Sequence, residues 1–171
     1  GNVALINSTV AYNSGTSGST GGGGIAQQSS GFDVAKLYPK NAIIAKNTLG
    51  SSNRVQDISG NVVSDGYNII GSTAGITQMT GILTGNQLDT DPLLDPILSP
   101  NGSALMTHAL LGGSPAIDRG DNCVLSTPGT GGCLDPSITT DQRGVSRPQD
   151  GDSNGVPVVD IGAYEVDSLP L

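Results

Sequence analysis

The strongest constraint on the fold of this chain is an internal repeat with an offset of 34 residues. The segment NSTVAYN at residues 7–13 is matched by NAIIAKN at residues 41–47, and asparagine stands at both ends of each segment. A third segment, at residues 60–71, repeats the Gly-Asn-Val of residues 1–3 with a different spacing of the residues that follow. Self-similarity at such a period is typical of solenoids, in which each repeat stacks on its neighbours. The sequence therefore predicts three stacked coils.

The repeated units have the pattern of strands rather than helices. Short β-prone runs are separated by Gly, Ser, Thr or Asn, and no run of useful length has helical periodicity. Fourteen of the fifteen acidic residues are Asp, which favours turns over helices, and hydrophobic residues make up only 35% of the chain. We therefore expect an all-β fold with a thin core, a parallel β-helix. Equivalent asparagines of successive coils are expected to occupy turns and to form a side-chain ladder.

The charge balance excludes one large class of partner. Seven Lys and Arg residues stand against 15 Asp and Glu residues, giving a net charge of -8, and basic and aromatic residues do not cluster. A surface that follows a phosphate backbone needs such a cluster, so nucleic-acid binding is not expected. The chain also has no apolar run near the roughly 20 residues that span a bilayer, so no transmembrane segment is predicted.

Cysteine spacing predicts a disulfide. Cys123 and Cys133 are separated by nine residues rich in Gly, Pro and Ser, and a loop of this composition closes easily. The alternatives are two free thiols or half of a zinc site, but the chain has no other Cys and a single His to complete a zinc shell. A disulfide indicates an oxidising compartment, so we expect a secreted protein that is extracellular or at the cell surface.

Several ordered blocks between about residues 58 and 166 resemble the end of bacterial secreted β-helix proteins of the choice-of-anchor Q type. The blocks are SDGYNIIG at 64–71, DPLL at 91–94, THAL at 107–110, GSPAID at 113–118, DQRG at 141–144, RP at 147–148 and DIGAYE at 160–165. The resemblance implies a right-handed parallel β-helix that carries a C-terminal cap, on surface proteins related to polymorphic outer-membrane repeat proteins. It implies little about activity.

Two regions follow from the repeats and the resemblance. We expect parallel β-helix coils over residues 1–90 and a loop-rich, disulfide-closed cap over residues 91–171, packed on the coils as one domain. The first residues, Gly1 to Leu5, resemble the interior of a coil. The chain is therefore expected either to continue a longer β-helix protein or to stack on a second copy of itself. Head-to-tail stacking that does not close produces filaments.

The sharpest local pattern is DGDSNGVPVVD at residues 150–160. Oxygen-bearing side chains at positions 1, 3 and 5, glycine at 6 and a backbone carbonyl at 7 match the first half of a calcium-binding loop. Asp160 at position 11 takes the place of the usual glutamate at position 12. The predicted Ca²⁺ ligands are Asp150, Asp152, Asn154, the carbonyl of Val156, and Asp160. The alternative is a turn stabilised by the hydrogen bonds of its own Asp and Asn residues.

A second group is expected to organise the cap. Arg143 and Arg147 lie in DQRGVSRP, and an arginine fork beside carboxylates fixes a loop through paired hydrogen bonds. The alternative use of such a fork is to bind an anionic sugar. The predicted cap-structuring residues are Asp141, Arg143, Arg147, Tyr164 and Glu165.

No residue is predicted to be catalytic. His108 has no nucleophile motif near it, and two of the acids that invite comparison with glycosidases, Asp91 and Asp95, precede proline and suit turns; Asp89 lies beside them. We expect a non-enzymatic extracellular structural or adhesive protein that self-assembles end to end. The alternative is a carbohydrate-binding or polysaccharide-degrading module with glycan partners, although the absence of Trp and the presence of only four Tyr leave few sugar-stacking surfaces.

Overall fold

The computed structural model describes residues 1–16, 21–27, 29–30, 33–50 and 54–167. The chain divides into two compact units, Gly1–Asp91 and Pro92–Leu171. Regular structure in these described ranges is β-strand apart from one short 3₁₀ helix, Asn122–Leu125, so the all-β class is confirmed. The strands are β1 (Val3–Ile6), β2 (Thr9–Ala11), β3 (Ser14–Gly15), β4 (Ile25–Ala26), β5 (Ser29–Ser30), β6 (Asp33–Val34), β7 (Leu37–Lys40), β8 (Ile43–Ala45), β9 (Thr48–Leu49), β10 (Arg54–Val55), β11 (Ile58–Asp65), β12 (Ile69–Ile70), β13 (Ile76–Ile82) and β14 (Gln87–Leu88).

Parallel sheets dominate the first unit. One sheet has the order β1-β7-β11-β13, with β4 also paired to β11, and a second has the order β2-β8-β12-β14. All of these pairs are parallel. A third, smaller sheet pairs β3 with β9 in parallel and β9 with β10 in antiparallel fashion, and β5 and β6 form an antiparallel pair.

The 34-residue repeat is the register of three of the parallel strand pairs. Val3 pairs with Leu37, Thr9 with Ile43, and Ser14 with Thr48, each 34 residues along the chain. Each pair belongs to a different sheet, so the repeat places equivalent residues of three pairs of strands side by side. Parallel pairing needs a long connection between partners, and the chain supplies it by passing through the other sheets before it returns.

The core of the first unit consists of aliphatic side chains from neighbouring strands. Leu37, Ile44, Ile58, Val62 and Ile70 are at most 2% exposed and form one cluster. All three residues of β8 are buried, which is the pattern of a strand covered on both faces rather than on one. This accounts for the short continuous apolar runs in a sequence with little hydrophobic content.

Asparagine side chains join successive strands beside this core. Asn47 Oδ1 accepts hydrogen bonds from both the backbone N–H and Nδ2 of Asn13, at 3.1 and 2.9 Å. Asn68 Nδ2 donates to Asn86 Oδ1 at 3.0 Å in the same manner. At the preceding turn Asn41 has φ 48°, in the left-handed region that Asn tolerates better than most residues. The repeated asparagines therefore serve both the turns and the contacts between neighbouring strands.

The second unit has a different kind of backbone. Its described residues contain isolated antiparallel bridges, such as Leu94 with Leu110 and Thr140 with Ser146, and the 3₁₀ helix. Cys123 and Cys133 form the predicted disulfide, with their Cα atoms 5.2 Å apart. In the described part of either unit, no helix has the length and apolar character needed to cross a membrane.

Candidate functional site

Arg143 joins three segments of the second unit. Its Nε donates to Asp141 Oδ2 at 2.8 Å, its NH1 donates to the carbonyl of Asn101 at 3.1 Å, and its NH2 donates to the carbonyl of Glu165. The guanidinium lies over the ring of Tyr164, 3.7 Å from the ring centroid. Because the Arg143 side chain is only 4% exposed, its donors serve the protein rather than a ligand.

Arg147 and Glu165 form a buried ion pair. Arg147 NH1 donates to Glu165 Oε2 at 2.8 Å, and the two side chains are 1% and 0% exposed. Arg147 also binds two backbone carbonyls, because NH1 donates to the carbonyl of Asp160 and NH2 to the carbonyl of Gly162, whereas Nε has no hydrogen-bond partner among the described residues. Glu165 in turn accepts from the backbone N–H groups of Gln149 and Asp160. A buried charge is tolerated when it is paired and most of its hydrogen bonds are satisfied in this way.

Three carboxylates of this network have shifted pKa values, and burial raises the pKa of Glu165 although the charge of Arg147 opposes it. Burial, followed by the negative charge of Glu165, raises the pKa of Asp160 to about 7, although the backbone N–H groups of Asp118 and Val166 donate to it. Burial acts in the same direction on Asp141, but hydrogen bonds from the Glu165 and Val145 amides and from Arg143 outweigh it and lower the pKa of that carboxyl. Asp141 therefore keeps its negative charge beside Arg143 and Arg147 down to a lower pH than Asp160 does.

The acidic loop, residues 150–156, folds around its own side chains. Asp150 accepts from the backbone N–H groups of Asn154 and Gly155 at 3.0 and 2.8 Å. Asp152 accepts from both the backbone N–H and Nδ2 of Asn154. Asn154 Oδ1 accepts from the backbone N–H of Val156 at 2.8 Å. These bonds define a compact turn and hold the two aspartates in fixed positions.

The structure brings together a set of carboxylates that differs from the sequence prediction. Asp118, Asp150 and Asp152 each offer an oxygen within 4.8 Å of the others. Asp160 is not in this group, since its carboxylate accepts from the backbone N–H groups of Asp118 and Val166 and is 1% exposed. Val156 is 59% exposed, at the far end of the loop. The carboxylate that completes the group thus comes from a segment 32 residues before Asp150.

The acids Asp89, Asp91 and Asp95 and the histidine His108 each contact a nearby group. Asp89 Oδ1 accepts from the backbone N–H and Oγ1 of Thr73, Asp91 pairs with Lys46 at 2.6 Å, and Asp95 Oδ1 accepts from the Ile97 N–H. His108 Nδ1 lies 2.8 Å from the carbonyl of Asp95. Each of the three acids therefore contacts a different partner.

Asp118 is the residue that sequence reasoning missed. It lies in the run GSPAIDRGD, outside the acidic loop, and no spacing rule links it to Asp150. Its backbone φ of 53° and its buried carboxylate are seen only in the structure. Comparisons of the chain with protein-family models, with curated proteins and with solved structures found no match.

Proposed function

We propose that this chain is a non-enzymatic structural or adhesive protein of the extracellular space or cell surface, built as a right-handed parallel β-helix whose first coil stacks on a further coil. The observation that carries the proposal is the common 34-residue register of β1 with β7, β2 with β8 and β3 with β9. A chain that returns to each of three sheets after the same number of residues advances as stacked coils. The handedness and the C-terminal cap come from the resemblance to choice-of-anchor Q proteins.

The edge of β1 supports the stacking. Val3 and Asn7 donate backbone hydrogen bonds to Lys36 and Lys40, beside and within β7, so alternation turns the N–H and C=O groups of Ala4 to the opposite edge. Among the described residues β1 pairs with β7 alone, and Val3 is 54% exposed. A strand edge of this kind accepts a further parallel strand.

An apolar cavity lies beside the same edge. It has a volume of about 260 Å³, and its lining includes Leu5, Val10, Ile25 and Leu37. Val10 of this lining pairs in register with Ile44, and Ile44 with Ile70, and both isoleucines belong to the buried core cluster. The incoming coil would therefore supply both backbone hydrogen bonds and an apolar side chain.

The contacts of the acids and the disulfide support the remaining parts of the proposal. Asp89 and Asp91 are bound to Thr73 and Lys46, which suits structural rather than catalytic carboxylates. The Cys123–Cys133 disulfide fits a secreted protein, since such bonds persist in oxidising compartments.

Negative-stain electron microscopy and sedimentation velocity of the purified chain test the stacking. We expect axially ordered oligomers or filaments at high protein concentration. Ala4→Pro removes the outward N–H and places a ring at the edge while leaving the donors of Val3 and Asn7 in place, so this variant is expected to be monomeric. Ala4→Val adds side-chain volume but keeps the N–H, and it is the matched control that should still assemble.

Two results would contradict self-assembly. A wild-type chain that sediments as a monomer at all concentrations would mean that the β1 edge receives a coil of a longer polypeptide instead of a second copy. Assembly that persists in Ala4→Pro would place the contact elsewhere on the surface. Release of oligosaccharide from acidic or neutral polysaccharides would contradict the non-enzymatic part of the proposal.

A further inference from the structure

The three clustered carboxylates come from two separate segments. Asp150 and Asp152 belong to the acidic loop, whereas Asp118 lies in the segment before the 3₁₀ helix and is only 5% exposed. One oxygen of each lies within 4.8 Å of the others. Neither Asp118 nor Asp152 forms a salt bridge within the part of the chain that the structure describes. Three like charges in such proximity repel one another unless a cation or a proton compensates them.

The hydrogen bonds leave one buried oxygen unused. Asp118 Oδ2 accepts from the backbone N–H of Asp152 at 2.7 Å, which ties the two segments together. Asp118 Oδ1 is inaccessible to solvent, yet it has no hydrogen-bond partner among the described residues. A buried acceptor without a partner is costly, and native proteins seldom retain one unless a ligand, an ion or a water molecule satisfies it.

The acidic loop already holds its two aspartates in place. Asp150 is fixed by two backbone N–H groups, and Asp152 by the backbone and side chain of Asn154. Asp152 is exposed and Asp150 half-buried, so solvent reaches the cluster on the side of these two residues. A cation entering from that side would meet a preformed arc of carboxylates and would keep several water ligands.

We propose that Asp118, Asp150 and Asp152 bind a single Ca²⁺ ion that bridges the acidic loop and the Asp118 segment. Hard divalent cations select carboxylate oxygens, and Ca²⁺ accepts six to eight ligands in irregular geometry, whereas Mg²⁺ requires a near-ideal octahedron. Three carboxylates from two segments of the chain, completed by water, therefore favour Ca²⁺, which does not require a strict octahedron. This site is independent of coil stacking, since it uses no residue of β1 or its cavity.

Calorimetric titration of the chelator-treated full chain with CaCl₂ at about pH 7.5 tests the site. We expect one site with a Kd of about 10⁻⁴ to 10⁻³ M, in the range of extracellular calcium modules, and at least about tenfold weaker binding of Mg²⁺. Because the ion binds the folded chain, about 10 mM CaCl₂ should raise the Tm by about 4 °C. The absence of a binding isotherm up to that concentration would overturn the proposal.

Three substitutions locate the ion. Asp118→Asn and Asp152→Asn each remove one ligand charge with little change of shape, and each is expected to weaken Ca²⁺ binding by about tenfold or more. Asp135→Asn removes the same charge from an exposed position of the same unit outside the cluster, and it should stay within about twofold of wild type. Asp152 is exposed, so its variant decides the matter if Asp118→Asn does not fold. Wild-type affinity in either folded cluster variant would overturn the assignment.

Discussion

In the first unit β8 is buried along its whole length and pairs in register with β2 on one side and β12 on the other. The second unit has no such buried strand among its described residues, and its interior contains charged side chains instead. Asp141, Arg147, Asp160 and Glu165 are all at most 7% exposed there, and they bond chiefly to one another and to backbone groups. All fourteen strands found among the described residues lie before Asp91.

The difference shows two ways in which a chain with little hydrophobic content satisfies its backbone. A repeated register lets each strand satisfy the polar groups of the next, so many small and similar contacts share the stability. Without a repeat, individual side chains must reach particular N–H and C=O groups, as Arg147 does with the carbonyls of Asp160 and Gly162. We therefore expect single polar substitutions to be more damaging in the second unit than in the first.

The largest effect is expected from Arg147→Met. This change leaves Glu165 buried and without its cation, and it frees two buried carbonyls. Removing one partner of a buried ion pair costs about 3 to 5 kcal/mol of unfolding free energy. Urea unfolding measures this loss, and hydrogen exchange with mass spectrometry should place the increased exchange in residues 92–167.

Arg119→Met is the matched control for that change. Arg119 lies in the same unit but is exposed, so its replacement should alter stability by less than about 0.5 kcal/mol. A loss of similar size in both variants would mean that net charge, and not the buried pair, governs the stability of this unit. It would also remove the proposed contrast between the two units.

A smaller loss is expected from Ile44→Ala in the first unit. Ile44 is fully buried and pairs with Val10 on one side and Ile70 on the other, so its truncation leaves a cavity between neighbouring strands. Such truncations cost about 2 to 5 kcal/mol, and partial collapse of the short strands should hold this one to about 3 kcal/mol. Unfolding in urea gives the value, and Ile44→Val, which removes one methylene, should lose about 1 kcal/mol. Equal losses in the two variants would show that the core is not packed as the structure places it.

The sequence predicted the strand pairing of the first unit and the disulfide of the second. The match of Asn7–Asn13 to Asn41–Asn47 predicted parallel neighbours in the first unit, because a repeat offset becomes a pairing register when strands stack. The disulfide was predicted from the short loop between its cysteines.

The carboxylate cluster shows where the sequence stops being informative. A loop pattern identified Asp150 and Asp152, but Asp118 joins them through the path of the chain, which no local spacing encodes. The loop pattern also included Asp160, at position 11, yet the structure directs its carboxylate to the N–H groups of Asp118 and Val166. Irregular units place side chains by tertiary contacts, and single-sequence patterns record only local ones.

The smallest effect is expected in the pH dependence of the unfolding free energy. It concerns Asp57, a fully buried acid of the first unit, and it separates this acid from the buried acids of the second unit. Burial raises the pKa of Asp57, although Asn47 donates to Oδ1 from its backbone N–H and from Nδ2. Above the ordinary pKa near 4 the folded chain retains a proton that the unfolded chain releases, so stability falls as pH rises, by at most about 1.4 kcal/mol per pH unit.

Asp57→Asn removes this contribution while keeping an acceptor for Asn47. The difference in unfolding free energy between variant and wild type should therefore increase in favour of the variant from about pH 4 toward pH 7. The raised pKa of Asp160 acts on both proteins and cancels in that difference, and Asp135→Asn reports the effect of net charge alone. Parallel stability curves would mean that Asp57 carries its charge at no cost, and that the asparagine ladder of the first unit stabilises a buried carboxylate as fully as the arginines of the second.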